Sequence, residues 1–260
     1  FIGVTLRLFQ SLSNLTTSLN QIINSHVHME KFYEIELNKT VKNDNNFQIL
    51  KTPTIGMEKV TFKYLNNDEP IFQNISFNLP RDSHTVVTGQ NGSGKSTLLG
   101  LIAGVFYADT GKVFSFSDNY GYIGATPLIF NAPLIENIMY GNEKNVSKEE
   151  IVHNLKLLDT FKEKANYDLN RIISNKELSS GQMQKIAFVR ALIAEPTILL
   201  LDEATSNLDE ESKEKIFKIL KNKKITIINS THDPDKFQNV DFSLNIEINS
   251  EIRKVRIQEL

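Results

Sequence analysis

Leu8, Leu12, Leu15, Leu19 and Ile22 recur at alternating spacings of four and three, and Met29 and Tyr33 continue the stripe. That pattern predicts a helix over residues 1–37 that packs against another helix. Its apolar start (Phe1, Ile2, Val4, Leu6, Phe9) points to the exit end of a helix bundle formed by upstream sequence. Residues 38–53 are polar, rich in Asn and close on Pro53, the texture of a linker. From residue 54 to the end the texture changes to short strands separated by turns. Strands are predicted at 55–64, 71–79, 83–88, within 111–124, at 198–201 and 225–230, with one or two more in 242–257. Helices are predicted at 96–105, 148–158, 181–194 and 211–220, and 133–195 as a whole reads as mainly helical. Ser147, with Glu150 three residues on, reads as a capping box. Strands alternating with helices imply an α/β domain over 54–260 with a mainly parallel sheet.

Composition narrows the classes. Hydrophobic residues make up 40% of 260, enough for a sizeable core, which excludes a disordered tail. The net charge of −2 argues against a dedicated nucleic-acid binder. With no cysteine there is no disulfide, no thiolate zinc site and no cysteine nucleophile. No run of about 18 apolar residues is present, so no complete membrane span is expected. The chain opens on Phe1 with no charged leader or cleavage signal, and it reads as a piece of a longer protein.

Two motifs carry chemistry. Gly89-Gln90-Asn91-Gly92-Ser93-Gly94-Lys95-Ser96 matches G-x-x-x-x-G-K-[ST] between a predicted strand and a predicted helix. Glycines let backbone N–H groups curl around phosphate oxygens, and the helix N-terminus adds unsatisfied donors. Lys95 then brings a charge to the β- and γ-phosphates, Ser96 a hydroxyl to Mg²⁺, and Thr97 a hydroxyl to the α-phosphate. The second motif is the apolar run 197–201 that ends in Asp202 and Glu203. A strand buried on both faces must be uniformly apolar, and ligands of open α/β sheets bind beyond strand carboxyl ends. Asp202 is therefore the expected magnesium residue and Glu203 the group that polarises an attacking water.

Between these motifs lies Leu178-Ser179-Ser180-Gly181-Gln182, and after them 201–209 (LDEATSNLD) and His232. With these segments in this order the sequence resembles the nucleotide-binding domain of ABC transporters over about residues 55–250. The resemblance implies a P-loop NTPase core with an antiparallel β subdomain and a helical subdomain bearing the signature 178–182. It implies that Tyr64 stacks on adenine and that Asp209 belongs to the loop facing a partner. His232 would contact the γ-phosphate. Ser179, Gly181 and Gln182 would cap the triphosphate held by a second copy, so that ATP and Mg²⁺ are clamped in a head-to-tail dimer, most simply of identical chains. A helix, a linker and this domain in one chain resemble exporters in which the membrane part comes first. The expectation is a motor at the cytoplasmic face of a membrane, with no nucleic-acid partner.

The resemblance has one departure at the site. Aligning 126–130 with the family places Ala125 where a glutamine is expected to reach magnesium and the attacking water. Thr126 is the neighbouring group that could substitute. Ala125 keeps open a module that binds ATP with little turnover. Two further classes share parts of the pattern: a soluble ABC ATPase acting on nucleic acid or ribosomes, and a P-loop kinase. Upstream apolar spans would separate the soluble ATPase from an exporter, and transfer to an acceptor other than water would mark a kinase.

Overall fold

The computed structural model describes residues 46–65, 69–142, 144–161, 167–232, 234, 237, 240–249 and 252–260. The helix expected over 1–37 and the linker as far as residue 45 lie outside the described residues. The elements in chain order are β1 (Phe47–Ile49), β2 (Thr54–Phe62), β3 (Phe72–Pro80), β4 (His84–Thr88), α1 (Lys95–Ile102), β5 (Thr110–Ser115) and β6 (Tyr120–Gly124). There follow β7 (Ala132–Pro133), α2 (Leu134–Met139), α3 (Lys148–Leu157), β8 (Ile172–Ile173), α4 (Ser180–Ala194) and β9 (Ile198–Asp202). The last are α5 (Glu210–Asn222), β10 (Thr226–Ser230), β11 (Phe242–Asn249) and β12 (Ile252–Glu259).

The central sheet has the order β12-β11-β4-β10-β9-β6, parallel except for the β11–β12 hairpin. Strand β9 shows why its sequence is apolar throughout. Ile198 and Leu200 enter one core with α1 and the second sheet, while Leu199 and Leu201 enter the other with α2 to α5. Successive side chains point to opposite faces, so a strand covered on both sides has no position for a polar residue until it leaves the sheet at Asp202. The second sheet, β1-β5-β2-β3, is antiparallel except where β1 joins β5. It covers α1, whose Leu98, Leu99, Leu101 and Ile102 are all fully buried. Both expected subdomains are therefore present, the β layer on one face and the helices on the other.

Four details differ from the sequence expectation. The segment expected as linker contains β1, which pairs in register with Val113–Ser115 of β5. A strand this short owes its existence to the neighbouring edge, which local sequence does not reveal. Helix α1 ends at Ile102 and not at 105, because Gly104 takes a left-handed φ of 69° and its N–H returns to Leu101 O at 3.1 Å. The region 133–195 is helical in three separate pieces, with the small β7–β8 ladder inside it. At Ser147 the hydroxyl accepts from Glu150 N–H at 3.1 Å, and among the described residues no return bond from the Glu150 carboxylate completes the box. No helix among the described residues is long and apolar enough to cross a membrane.

Candidate functional site

Parallel register brings three strand ends to one edge of the central sheet. Strand β4 runs into Gly89, β9 ends at Asp202, and β10 ends at Ser230, two residues before His232. Gly94, the N-cap of α1, has φ 104° and no side chain caps the helix. A Cβ at Gly94 would stand 2.9 Å from the Phe72 ring, so neither backbone nor space admits another residue. The first-turn donors of α1 are thus left without a side-chain acceptor beside a cavity of about 250 Å³. Tyr64, Asn91, Gly92, Lys95, Thr97 and Glu203 are among the residues that line it.

Lys95 is only 5% exposed. Its Nζ donates to Gly89 O at 3.0 Å and stands 3.8 Å from Glu203 Oε1. A buried ammonium requires such partners, because its desolvation is otherwise uncompensated. The same Glu203 oxygen accepts from His232 Nε2 at 2.8 Å. Glu203 has a left-handed φ of 55° and is held by its N–H, which donates to Ser230 O at 3.1 Å. Backbone of this kind in a residue other than glycine costs about 1–3 kcal/mol and collects at functional sites. Strand β10 therefore fixes the carboxylate at the cavity rim. Tyr64 is set by its hydroxyl, 2.7 Å from Thr97 Oγ1, and by edge contacts with the Phe62 and Phe106 rings at 5.1 and 5.5 Å. Ser93 is fully buried, and its Oγ has no partner among the described residues.

Asp202 accepts two hydrogen bonds, from Ser230 Oγ to Oδ1 at 2.9 Å and from Tyr122 OH to Oδ2 at 3.1 Å. Desolvation first, and the Asp202 charge second, push the Tyr122 hydroxyl up to about 12, so it remains a donor at neutral pH. Gly124, two strand positions on, pairs with Asp202, and a Cβ there would lie 3.4 Å from the Tyr122 hydroxyl. The hydroxyls on Asp202 are thus those of Ser230 and Tyr122. Sequence reasoning missed Tyr122. Ala125 itself is tied down, its carbonyl accepting from Gln184 Nε2 at 3.3 Å.

Magnesium takes oxygen ligands and normally retains water and substrate phosphates. No group of three or more His, Cys, Asp or Glu that could hold a metal occurs among the described residues. The exposed Ser96 hydroxyl and the Asp202 carboxylate are an oxygen set that suits a magnesium ion arriving with phosphates, and not a protein-only cage.

The signature residues lie apart from this cavity's lining. Leu178 is buried in the helical core, whereas Ser179 and Ser180 are exposed. Helix α4 starts at Ser180, one residue before the expected start, and its N-terminus is a complete capping box. Ser179 Oγ accepts from Gln182 N–H at 3.2 Å, and Gln182 Oε1 accepts from Ser179 N–H at 2.9 Å. A Cβ on Gly181 would sit 3.1 Å from Asn207 O, so this glycine lets α4 approach the loop 206–209. Asp209 in that loop caps α5, accepting from Ser212 N–H at 2.8 Å, and this bond holds its carboxyl below the usual range. The structure therefore gathers Tyr64, the phosphate loop, Asp202, Glu203 and His232 together. It leaves Ser179, Gly181, Gln182 and Asp209 as a second group on their own surface.

A family model described as "ABC transporter" matches residues 72–206. An ATP-dependent lipid A-core flippase of Pasteurella multocida is 32% identical over 211 residues, 74% of this chain and 36% of that protein. A mitochondrial iron-sulfur clusters transporter ATM1 of Debaryomyces hansenii is 29% identical, over 85% of this chain and 35% of that protein. A molybdate/tungstate import ATP-binding protein WtpC of Methanocaldococcus jannaschii is 35% identical, over 69% of this chain and 64% of that protein. The chain spans about a third of the length of the flippase and of the ATM1 relative it matches. Among solved structures, a bacterial Atm1-family ABC exporter with ATP bound superposes with a TM-score of 0.67 at 24% identity, over 78% of this chain and 38% of that one, which shows the fold. The uncapped phosphate loop, the acidic end of β9 and the separate capped signature helix lie in one fold shared with these proteins, and the chain belongs to the ABC transporter family.

Proposed function

We propose that the chain is the ATP-hydrolysing motor of an ABC exporter, coupled to a membrane domain earlier in the same polypeptide and working on the cytoplasmic side. The flippase and a "Putative export ATP-binding/permease protein" among its relatives support the direction of transport, and the helical stripe in 1–37 supports the fused membrane part. The observation that carries the reading is Glu203. Its carboxylate stands at the cavity rim between Lys95 and His232, on strained backbone, beside an uncapped helix N-terminus.

In this reading the phosphate-loop residues 89–97 hold the triphosphate and Tyr64 stacks on the adenine. Ser96 and Asp202 would hold Mg²⁺, which supplies charge neutralisation at the phosphate oxygens. Glu203 polarises the attacking water once Lys95 turns to the phosphates, and His232 orients the γ-phosphate. A second copy closes the site with Ser179, Gly181 and the loop bearing Asp209. ATP binding then draws two chains together, and hydrolysis releases them. The test is Glu203→Gln. With the carboxylate gone but the shape kept, ATP should convert the protein to a dimer on size-exclusion chromatography while phosphate release falls by about 10²–10³-fold. A variant that binds ATP and elutes only as monomer would sink the clamped-pair reading.

A further inference from the structure

We propose that Arg253, on the C-terminal hairpin, is a second cationic contact to the phosphates of the bound nucleotide. The inference rests on the reading of the cavity as a nucleoside-triphosphate site. Strand β11 lies parallel to β4, so the β11–β12 hairpin stands beside the start of the phosphate loop. The two are packed closely enough that a Cβ on Gly89 would come within 2.8 Å of Ile246 O. Arg253 lies opposite Ile248 and on the same strand face as Val255, which packs on the core. Arg256, on the other face, pairs with Glu247.

Arg253 reaches the loop directly. Its Nη2 donates to Gly92 O at 3.2 Å, and the residue lines the same cavity as Lys95, Ser96 and Tyr64. Its Nε is buried and has no acceptor among the described residues. A guanidinium offers five donors in a fixed fork, and a buried donor without an acceptor calls for a partner. The cavity lining holds two cations, Lys95 and Arg253, against one carboxylate, Glu203. Lys95 is engaged by Gly89 O and Glu203. The chemistry that completes Arg253 is an anionic oxygen, and a nucleotide phosphate beside Gly92 supplies it. No local signal marks Arg253 apart from the neighbouring cations Lys254 and Arg256.

The experiment titrates the full chain with MgATP and with adenosine, and compares Arg253→Ala and Arg253→Lys with the parent chain and with Lys95→Ala. Loss of a charge-assisted contact should weaken ATP by about 10–100-fold in Arg253→Ala. Adenosine, which has no phosphate, should bind as before, and Arg253→Lys should recover part of the ATP affinity. ATP affinity unchanged in Arg253→Ala, or an equal loss for ATP and adenosine, would overturn the assignment, the latter because it would mean that Arg253 only shapes the loop. If the parent chain bound no ATP at all, the nucleotide reading itself would fail, and with it this one.

Discussion

Two loops among the described residues open helices at Gly94 and at Ser179, and they are finished in opposite ways. At Gly94 the cap is a left-handed glycine with no side chain, set against the Phe72 ring. At Ser179 the cap is a reciprocal serine–glutamine box. A helix N-terminus carries about half a unit of positive charge and unsatisfied N–H groups. The first loop leaves those groups to a ligand and adds Lys95. The second satisfies two of its donors internally and leaves its exposed serines for a weaker contact. On the proposed reading the first is a binding site within one chain, while the second is a stable face for another surface.

The largest expected effect lies at the first loop. Lys95→Ala removes the ammonium that Gly89 and Glu203 hold, and ATP affinity should fall about a hundredfold, read by titration calorimetry. Retained affinity would mean the loop works by backbone donors alone. Ala125→Gln should raise steady-state phosphate release, by up to about 10²-fold if an amide at that point is limiting. An unchanged rate would show that the Tyr122 hydroxyl on Asp202 already does the work. Gly94→Ser sharpens the contrast. By helix-capping preference alone serine is a good residue there, yet φ 104° and the Phe72 ring oppose it. The variant should lose about 1–3 kcal/mol and melt roughly 2–10 °C lower, with ATP binding impaired.

The smallest effects belong to the second surface. Ser179→Ala should cost about 1 kcal/mol, a fall of about 2–4 °C in melting temperature, and leave ATP affinity of the monomer unchanged. Asp209→Ala should behave similarly at neutral pH, with a sign that pH can check. The Ser212 N–H bond holds the Asp209 carboxyl below its ordinary value in the folded state. Its contribution is full above the ordinary carboxylate range and is lost as pH falls through the depressed value. Melting temperatures of parent and variant should therefore converge in acid. A gap that persisted there would show that the cap acts through something other than the ionised carboxylate.

Much of the fold and site is legible from residue order alone. The run 198–201 had to be a doubly covered strand, and its alternate side chains enter two separate cores. The phosphate loop was legible because its backbone geometry admits so few residue types. Strand β1 was not, since an Asn-rich stretch becomes a strand only where β5 offers an edge. Tyr122 and Arg253 were not, since a tyrosine in a strand and one cation among three in 253–256 carry no local signal of what they touch.

The sequence by itself determined the residue types at the loop and at the end of β9, because steric freedom and burial act within a few residues. Only the tertiary structure decided which groups meet there. Tyr64 reaches Thr97 from 33 residues away, Tyr122 reaches Asp202 from 80, and Arg253 reaches Gly92 from 161. The last two follow from the order β12-β11-β4-β10-β9-β6 and its register, and the first from the second sheet lying over α1. Strand order is fixed by how two cores close around one sheet, a condition that no short segment carries.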